Sequence, residues 1–324
     1  MKKQFYFATW LRTAAMISIL LCHFVAQSKN ALLNMSAQFF NIGVDLFIIL
    51  SGFLFGTDRR EIDARTWYQK RFKRIFIPYE IFVILLFAVH AVSGQNLLNR
   101  NWIWLALGLQ GSVVGVLGAE QTWFITSLLI CYAITPLLDK TFSQERTQSR
   151  TIVILIASGA APLLWALFEA PAFHTLLSLV SYYILAFAMG RYFEEIPMTK
   201  RGTVKAFLIM VLSFAARLTA HHFLDGTILY ERIICGYTQI IAAFCIFYLF
   251  ARMFAGKKPV WTVQKLSEIS FEIYLVHYMF CVGPVRLFGL TPYWAINCAI
   301  VALVTIVIAV AVHSLAKGMT KEMR

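Results

Sequence analysis

The sequence predicts an all-α integral membrane fold with ten transmembrane helices, and three observations carry that prediction. The chain has 324 residues, 60% hydrophobic and 14% charged, with a mean hydropathy of +0.70. A soluble domain of this length runs nearer half apolar and a quarter charged. The apolar residues come in runs of about twenty, the length that crosses a hydrocarbon core of ~30 Å. Lys and Arg bunch in the short loops between those runs, as they do on the cytoplasmic face of a membrane protein. A soluble reading would need almost every residue in a core, with none left for a surface.

The first span, 5–26, follows Lys2 and Lys3. Its length and the lack of a clear cleavage site make it a retained span rather than a signal peptide. The next three are 38–56, 75–93 and 121–139, then 151–169, 176–193 and 206–224. The last three are 231–254, 267–288 and 293–315. The stretch 101–118 is also apolar, but Gly108, Gly111, Gly115 and Gly118 punctuate it. If it crossed, the loop Lys140–Arg150 would fall opposite the basic loop 57–74. As a re-entrant or interfacial segment on the outer side, it leaves every strongly basic loop on one face. Of the 29 Lys and Arg, only Arg12, Lys29, Arg100, Arg217, Arg232 and Arg286 then lie elsewhere. That asymmetry places the N and C termini in the cytoplasm. No soluble domain, repeat or low-complexity linker is visible, so residues 1–324 read as a single membrane domain.

The net charge of +13 belongs to that loop pattern, and no nucleic-acid-binding module accompanies it. Cys22, Cys131, Cys235, Cys245, Cys281 and Cys298 all lie in apolar runs. They show neither a CxxC pair nor metal-ligand spacing, and read as small core residues.

An ionisable side chain inside a span costs several kcal/mol unless it faces a cavity or a partner, which makes such residues functional candidates. Arg12 and His23 share a face of the first span, eleven residues and ~16 Å apart along the axis. Taken alone, a snorkelling arginine and an interfacial histidine account for them equally well. Asp45, in the second span, falls at a depth comparable to His23 on the adjacent helix of a hairpin. A carboxylate beside an imidazole fixes its tautomer and raises its basicity, as a general base requires. The alternative is a structural pair that ties two helices together. Gly52, seven residues on, shares the Asp45 face and admits a close neighbouring backbone.

Lys70, Arg71, Lys73 and Arg74 form a basic run at the mouth of the third span. Arg71 and Arg74, at i and i+3, project from one helix face, and guanidinium forks suit phosphate oxygens. Positive-inside anchoring or lipid head-group contact explains the same spacing. Ser267, Ser270, Tyr274 and His277 make a polar stripe on the ninth span, facing either a cavity or neighbouring helices. Arg217, His221, His222, Asp225, Glu231 and Arg232 cluster around one tight loop, with Trp102, Trp104 and Trp123 elsewhere on the outer side. A glycan would suit such a mixture; an aromatic belt and a solvated loop also explain it.

These motifs together resemble the membrane-bound acyltransferase-3 family, which O-acylates bacterial cell-envelope polysaccharides and some small molecules. Arg12 and His23 stand at that family's spacing in LRTAAMISILLCH, and GVDLFIILSGF runs from Gly43 to Phe53. RFKR at 71–74 with Pro78, QTWFITSLLICYAITP at 121–136 and LSEISFEIYLVH at 266–277 follow in the family's order. The resemblance covers residues 5 to about 310. It implies a ten-helix fold in the bacterial inner membrane, with acyl-CoA as co-substrate and no resident cofactor or metal. The reaction implied is acyl transfer, acetyl above all, to a hydroxyl of an extracytoplasmic or lipid-linked glycan. His23 becomes the catalytic base and Arg12 its companion, and Arg71 and Arg74 contact the CoA phosphates with help from Lys70 and Lys73. Trp123, Tyr132, Tyr274, His277, Arg217 and His222 are the candidates for lining the acceptor cavity. The family often adds an esterase-like domain after the helices. This chain stops at Arg324 without one, so any later step is expected to use another protein. The rival reading, a glycan or lipid-linked-sugar flippase, lacks the inverted repeats and paired broken helices of many transporters. The acyl group, the acceptor and the oligomeric state, a homo-oligomer included, are not set by the sequence.

Overall fold

The computed structural model describes residues 5–60, 62–95, 97, 101–110, 115–143, 148–166, 171–193 and 198–322. Lys2, Lys3, Arg100, Gly111, the middle of the Lys140–Arg150 loop and residues 167–170 lie outside them. Among the described residues every regular element is helical, the state in which a chain in lipid satisfies its backbone polar groups internally. The α-helices are α1 Tyr6–Ala26, α2 Ala31–Phe40, α3 Gly43–Gly56, α4 Ala64–Val92, α5 Asn101–Ala106, α6 Trp123–Ser143 and α7 Gln148–Ala166. They continue as α8 Pro171–Arg191, α9 Lys200–Leu224, α10 Cys235–Met253, α11 Trp261–Glu268, α12 Ser270–Cys281 and α13 Trp294–Glu322.

Each of the ten predicted spans contains a helix. By length and hydropathy, seven helical stretches among the described residues qualify as crossings. These are Tyr6–Ala26, Ala31–Gly56, Ala64–Val92, Glu120–Phe142, Lys200–Leu224, Leu229–Met253 and Trp294–Lys321. Ile152–Leu164 and Leu177–Arg191 are apolar but shorter. The predicted span 267–288 is interrupted: α11 ends at Glu268, and α12 has only 12 residues. The second span starts earlier than predicted, because the Asn30 side chain accepts the Leu32 and Leu33 amides and opens α2. Among the described residues of segment 101–118 the α-helix is the six-residue α5, ~9 Å long, followed by a turn with Gly108 at φ +69°. No continuous helix crosses there among the described residues.

The helices form two compact units. The first comprises Met1–Ala15, Ile42–Asp63 and Ile130–Gln264. Its centre is an aromatic cluster in which the Phe53 ring meets Phe7, Phe193 and Phe247 at 4.8–5.7 Å. Beside it, α3 and α8 pack backbone against backbone. A Cβ on Gly52 would stand 2.5 Å from the Tyr183 carbonyl oxygen, one on Gly56 would strike the Phe187 carbonyl, and one on Gly190 the Phe53 carbonyl. Small residues at such a crossing let two helices approach as closely as lipid-embedded packing favours. Below it, Arg191 Nη2 donates to Asp139 Oδ1 at 2.6 Å, with both side chains buried. Gly56→Val is expected to lower the unfolding midpoint in detergent sharply, since the obstructing atom is backbone and no rotamer relieves it. Gly159→Val, where a Cβ meets nothing within 4 Å, should behave as wild type in the same measurement.

The second unit comprises Met16–Asn41, Ala64–Leu129 and Lys265–Arg324. In it α4 packs against α5, α12 and α13. The helix–helix ties are polar: His313 Nδ1 and Glu272 Oε1 meet at 2.8 Å between α13 and α12. The loop after α5 is held in the same way. Tyr79 Oη donates to the Leu105 carbonyl, Thr126 Oγ1 to that of Gly108 at 2.8 Å and Thr122 Oγ1 to Gln110 Oε1 at 2.8 Å.

Candidate active site

His23 lies on the last turn of α1, half-buried, in the second unit. Its ring centre is 5.1 Å from that of His277 and 4.8 Å from that of Tyr278, which meets it edge-on at 82°. His277 is fully buried on α12. Its Nδ1 faces the Tyr274 carbonyl oxygen at 2.7 Å and that of Ile273 at 3.3 Å. A carbonyl can only accept, so Nδ1 carries the hydrogen and donates it, leaving Nε2 with a bare lone pair. That Nε2 is buried and makes no hydrogen bond among the described residues. The helix beneath is braced by Glu120–Thr122, a single turn of 3-10 helix. Tyr274 Oη donates to the Gln121 carbonyl, and Gln121 Nε2 donates to that of Leu275 at 2.8 Å. Trp123, half-buried, stands against Phe124, which packs edge-on against Tyr274 at 5.4 Å. His23, Tyr274 and His277, singled out separately in the sequence, thus gather with Trp123 in one unit.

Asp45 belongs to the first unit. It sits in the first turn of α3, where unpaired amides and the helix dipole favour a carboxylate, and it is only 4% exposed. The sequence reading sets Asp45 beside His23, a residue of the second unit. The hydrogen bond that its carboxylate accepts within its own unit comes from Gln239 Nε2 of α10, to Oδ2 at 2.5 Å. Gln239 Oε1 in turn accepts from Arg217 Nη1 of α9 at 2.7 Å. A carboxamide both donates and accepts, so Gln239 joins a buried anion to a buried cation. Arg217 thereby serves this network rather than a solvated loop.

The remaining candidates are spread over both units. Arg12 is half-buried on α1, next to Thr13, whose Oγ1 donates to the Val263 carbonyl at 3.0 Å. Tyr132 is half-buried and packs edge-on against Phe55 at 5.4 Å. His222 is exposed near the end of α9 and touches Phe223. The basic run lies in the first part of α4, whose 29 residues span ~43 Å. Lys70 and Arg74 are exposed and Lys73 half-exposed. The Arg71 guanidinium carbon lies 4.5 Å from the centre of the Trp67 ring, a cation–π contact that orients the fork.

Gln239, Gln121 and Tyr278 escaped the sequence reading. Gln239 left one usable signal, a carboxamide in the middle of an apolar run.

A family model described as an acyltransferase domain, of the acyltransferase-3 type, matches residues 5–313. No curated protein and no solved structure matches the chain.

Proposed function

This chain belongs to the acyltransferase-3 family of membrane acyltransferases, and from that premise we propose that it moves an acyl group, acetyl above all, from cytoplasmic acyl-CoA to a hydroxyl of an extracytoplasmic or lipid-linked glycan. The observation that carries the reading is His23, an imidazole on an apolar helix, in ring contact with a second buried histidine. The membrane is the bacterial inner membrane, crossed ten times, with both termini and the basic start of α4 in the cytoplasm.

Acyl-CoA docks at that mouth, its phosphates held by Arg71 and Arg74 with Lys70 and Lys73 beside them. Its pantetheine arm carries the thioester towards His23. The glycan hydroxyl attacks the thioester carbonyl as His23 takes the hydroxyl proton. The carbon–sulfur bond breaks, and His23 returns the proton to the CoA thiolate. Arg12 lines the donor channel, and Asp45, tied to Arg217 through Gln239, supplies the buried carboxylate of the machinery. Trp123, Tyr132, Tyr274 and His222 are the candidates for contact with the acceptor.

The test is transfer of label from radiolabelled acetyl-CoA into the glycan fraction of native membranes. Arg71→Ala/Arg74→Ala is expected to raise the donor KM by about tenfold or more, since hydrogen bonds between charged partners contribute ~1.5–3 kcal/mol each. An unchanged KM removes the phosphate role. Failure of the purified protein to bind acetyl-CoA saturably removes the donor and favours a flippase.

A further inference from the structure

We infer that His277 is the positioning residue for His23, its Nε2 accepting the N–H of the His23 imidazole so that the other nitrogen of His23 faces the acceptor hydroxyl bare. This rests on the reading of His23 as the base. A neutral imidazole acting as base carries its hydrogen on the second nitrogen, and in a buried place that N–H costs free energy unless it finds an acceptor. The structure supplies one. His277 is fully buried, its Nδ1–H is committed to the Tyr274 carbonyl at 2.7 Å, and its Nε2 is bare and unengaged among the described residues. The two ring centres lie 5.1 Å apart, and although Nε2 makes no hydrogen bond among the described residues, a turn of the His23 ring at that spacing brings an N–H within reach of it. Tyr278 covers the His23 ring edge-on, and Tyr274 and Tyr278 are the other titratable rings against His277, each at 6.0 Å.

The brace from Gln121 gives this arrangement its rigidity. It holds Tyr274 and Leu275, hence the carbonyl that sets the His277 tautomer, hence the direction of the Nε2 lone pair. The proton count closes. His23 gains the hydroxyl proton, its imidazolium is held by a charge-assisted bond to His277 Nε2, and the same proton passes to the departing CoA thiolate. His277 begins and ends with one hydrogen, on Nδ1.

The experiment compares His277→Gln, His277→Asn, His277→Ala and His23→Ala in the full-length chain. It measures initial rates of label transfer from acetyl-CoA into membrane glycan with the donor titrated, alongside unfolding midpoints in detergent. Gln places an amide oxygen near the position of Nε2, whereas Asn keeps only a donor near the Tyr274 carbonyl. His277→Gln is expected to hold kcat within about tenfold of wild type. His277→Asn and His277→Ala are expected to lose about a hundredfold or more at unchanged donor KM, the scale of a mis-set general base. A purely structural histidine predicts the opposite order, so an Asn variant as active as the Gln variant overturns the inference. Should Asn and Ala fail to fold, a hundredfold loss in a folded Gln variant overturns it too. Full activity in His23→Ala overturns the base assignment itself, whereas inactivity there with an active Asn variant overturns only the role of His277.

Discussion

Replacement of His23 by alanine is expected to lower acyl transfer by ~10²–10⁴-fold, the worth of a positioned general base, with the donor KM unchanged. The split between the two constants follows from the division of labour proposed above. On that proposal CoA is held at its phosphates by the start of α4 and not by the imidazole, so donor binding should not feel the loss. What alanine removes is made only as the hydroxyl loses its proton, and an interaction of that kind registers in kcat. Rates at saturating acetyl-CoA in native membranes, normalised to the amount of folded protein, check it. Full activity would remove His23 from the chemistry, and a raised KM with intact kcat would move it to the donor channel.

Arg191→Met is expected to cost ~3–5 kcal/mol of stability, because it strands the Asp139 carboxylate without its counter-ion in a buried site. The side chains of Arg191 and Asp139 are 8% and 7% exposed, so water cannot take the place of the missing partner. The double variant Asp139→Leu/Arg191→Met should recover most of the loss, as paired replacement by apolar residues of similar volume often does. Unfolding midpoints of the two single variants and the double variant form the cycle that isolates the pair. Wild-type stability in Arg191→Met would show that the pair contributes nothing. Neither residue belongs to the proposed machinery, so kcat per folded molecule should stay level across the series.

Much of the helical plan was legible because lipid leaves a chain few choices. A run of twenty apolar residues must hydrogen-bond within itself, and each of the ten runs holds a helix. Loop charge made 101–118 a non-crossing segment; its described residues hold no continuous spanning helix, and Gly108 and Gly118 take left-handed backbone at φ +69° and +87°. Helix ends were less legible, since they turn on single side chains such as Asn30. Among the candidate site residues, charge and spacing picked out His23, Asp45, Arg217 and His277 one by one. Their partners were out of reach. Gln239 lies 194 positions from Asp45 and carries no charge; its carboxamide stands out in an apolar run, but nothing local names its partner. The tautomer of His277 depends on a backbone carbonyl, a group every residue has and no sequence pattern reveals.

The backbone crossing of α3 and α8 has a mechanical consequence. Side-chain interfaces can be re-shimmed, since a rotamer change lets one helix slide a little past the other. Here the meshing parts are glycine Cα atoms and peptide carbonyls, which have no rotamers to change. The pair therefore works like a ratchet tooth, each glycine meeting a peptide carbonyl of the other helix where only a hydrogen fits. Asp45 stands seven residues, ~10.5 Å, from Gly52 on the same helix face. The ratchet thus fixes where along α8 the carboxylate is carried, since a helix held at Gly52 and Gly56 cannot shift Asp45 without breaking that mesh.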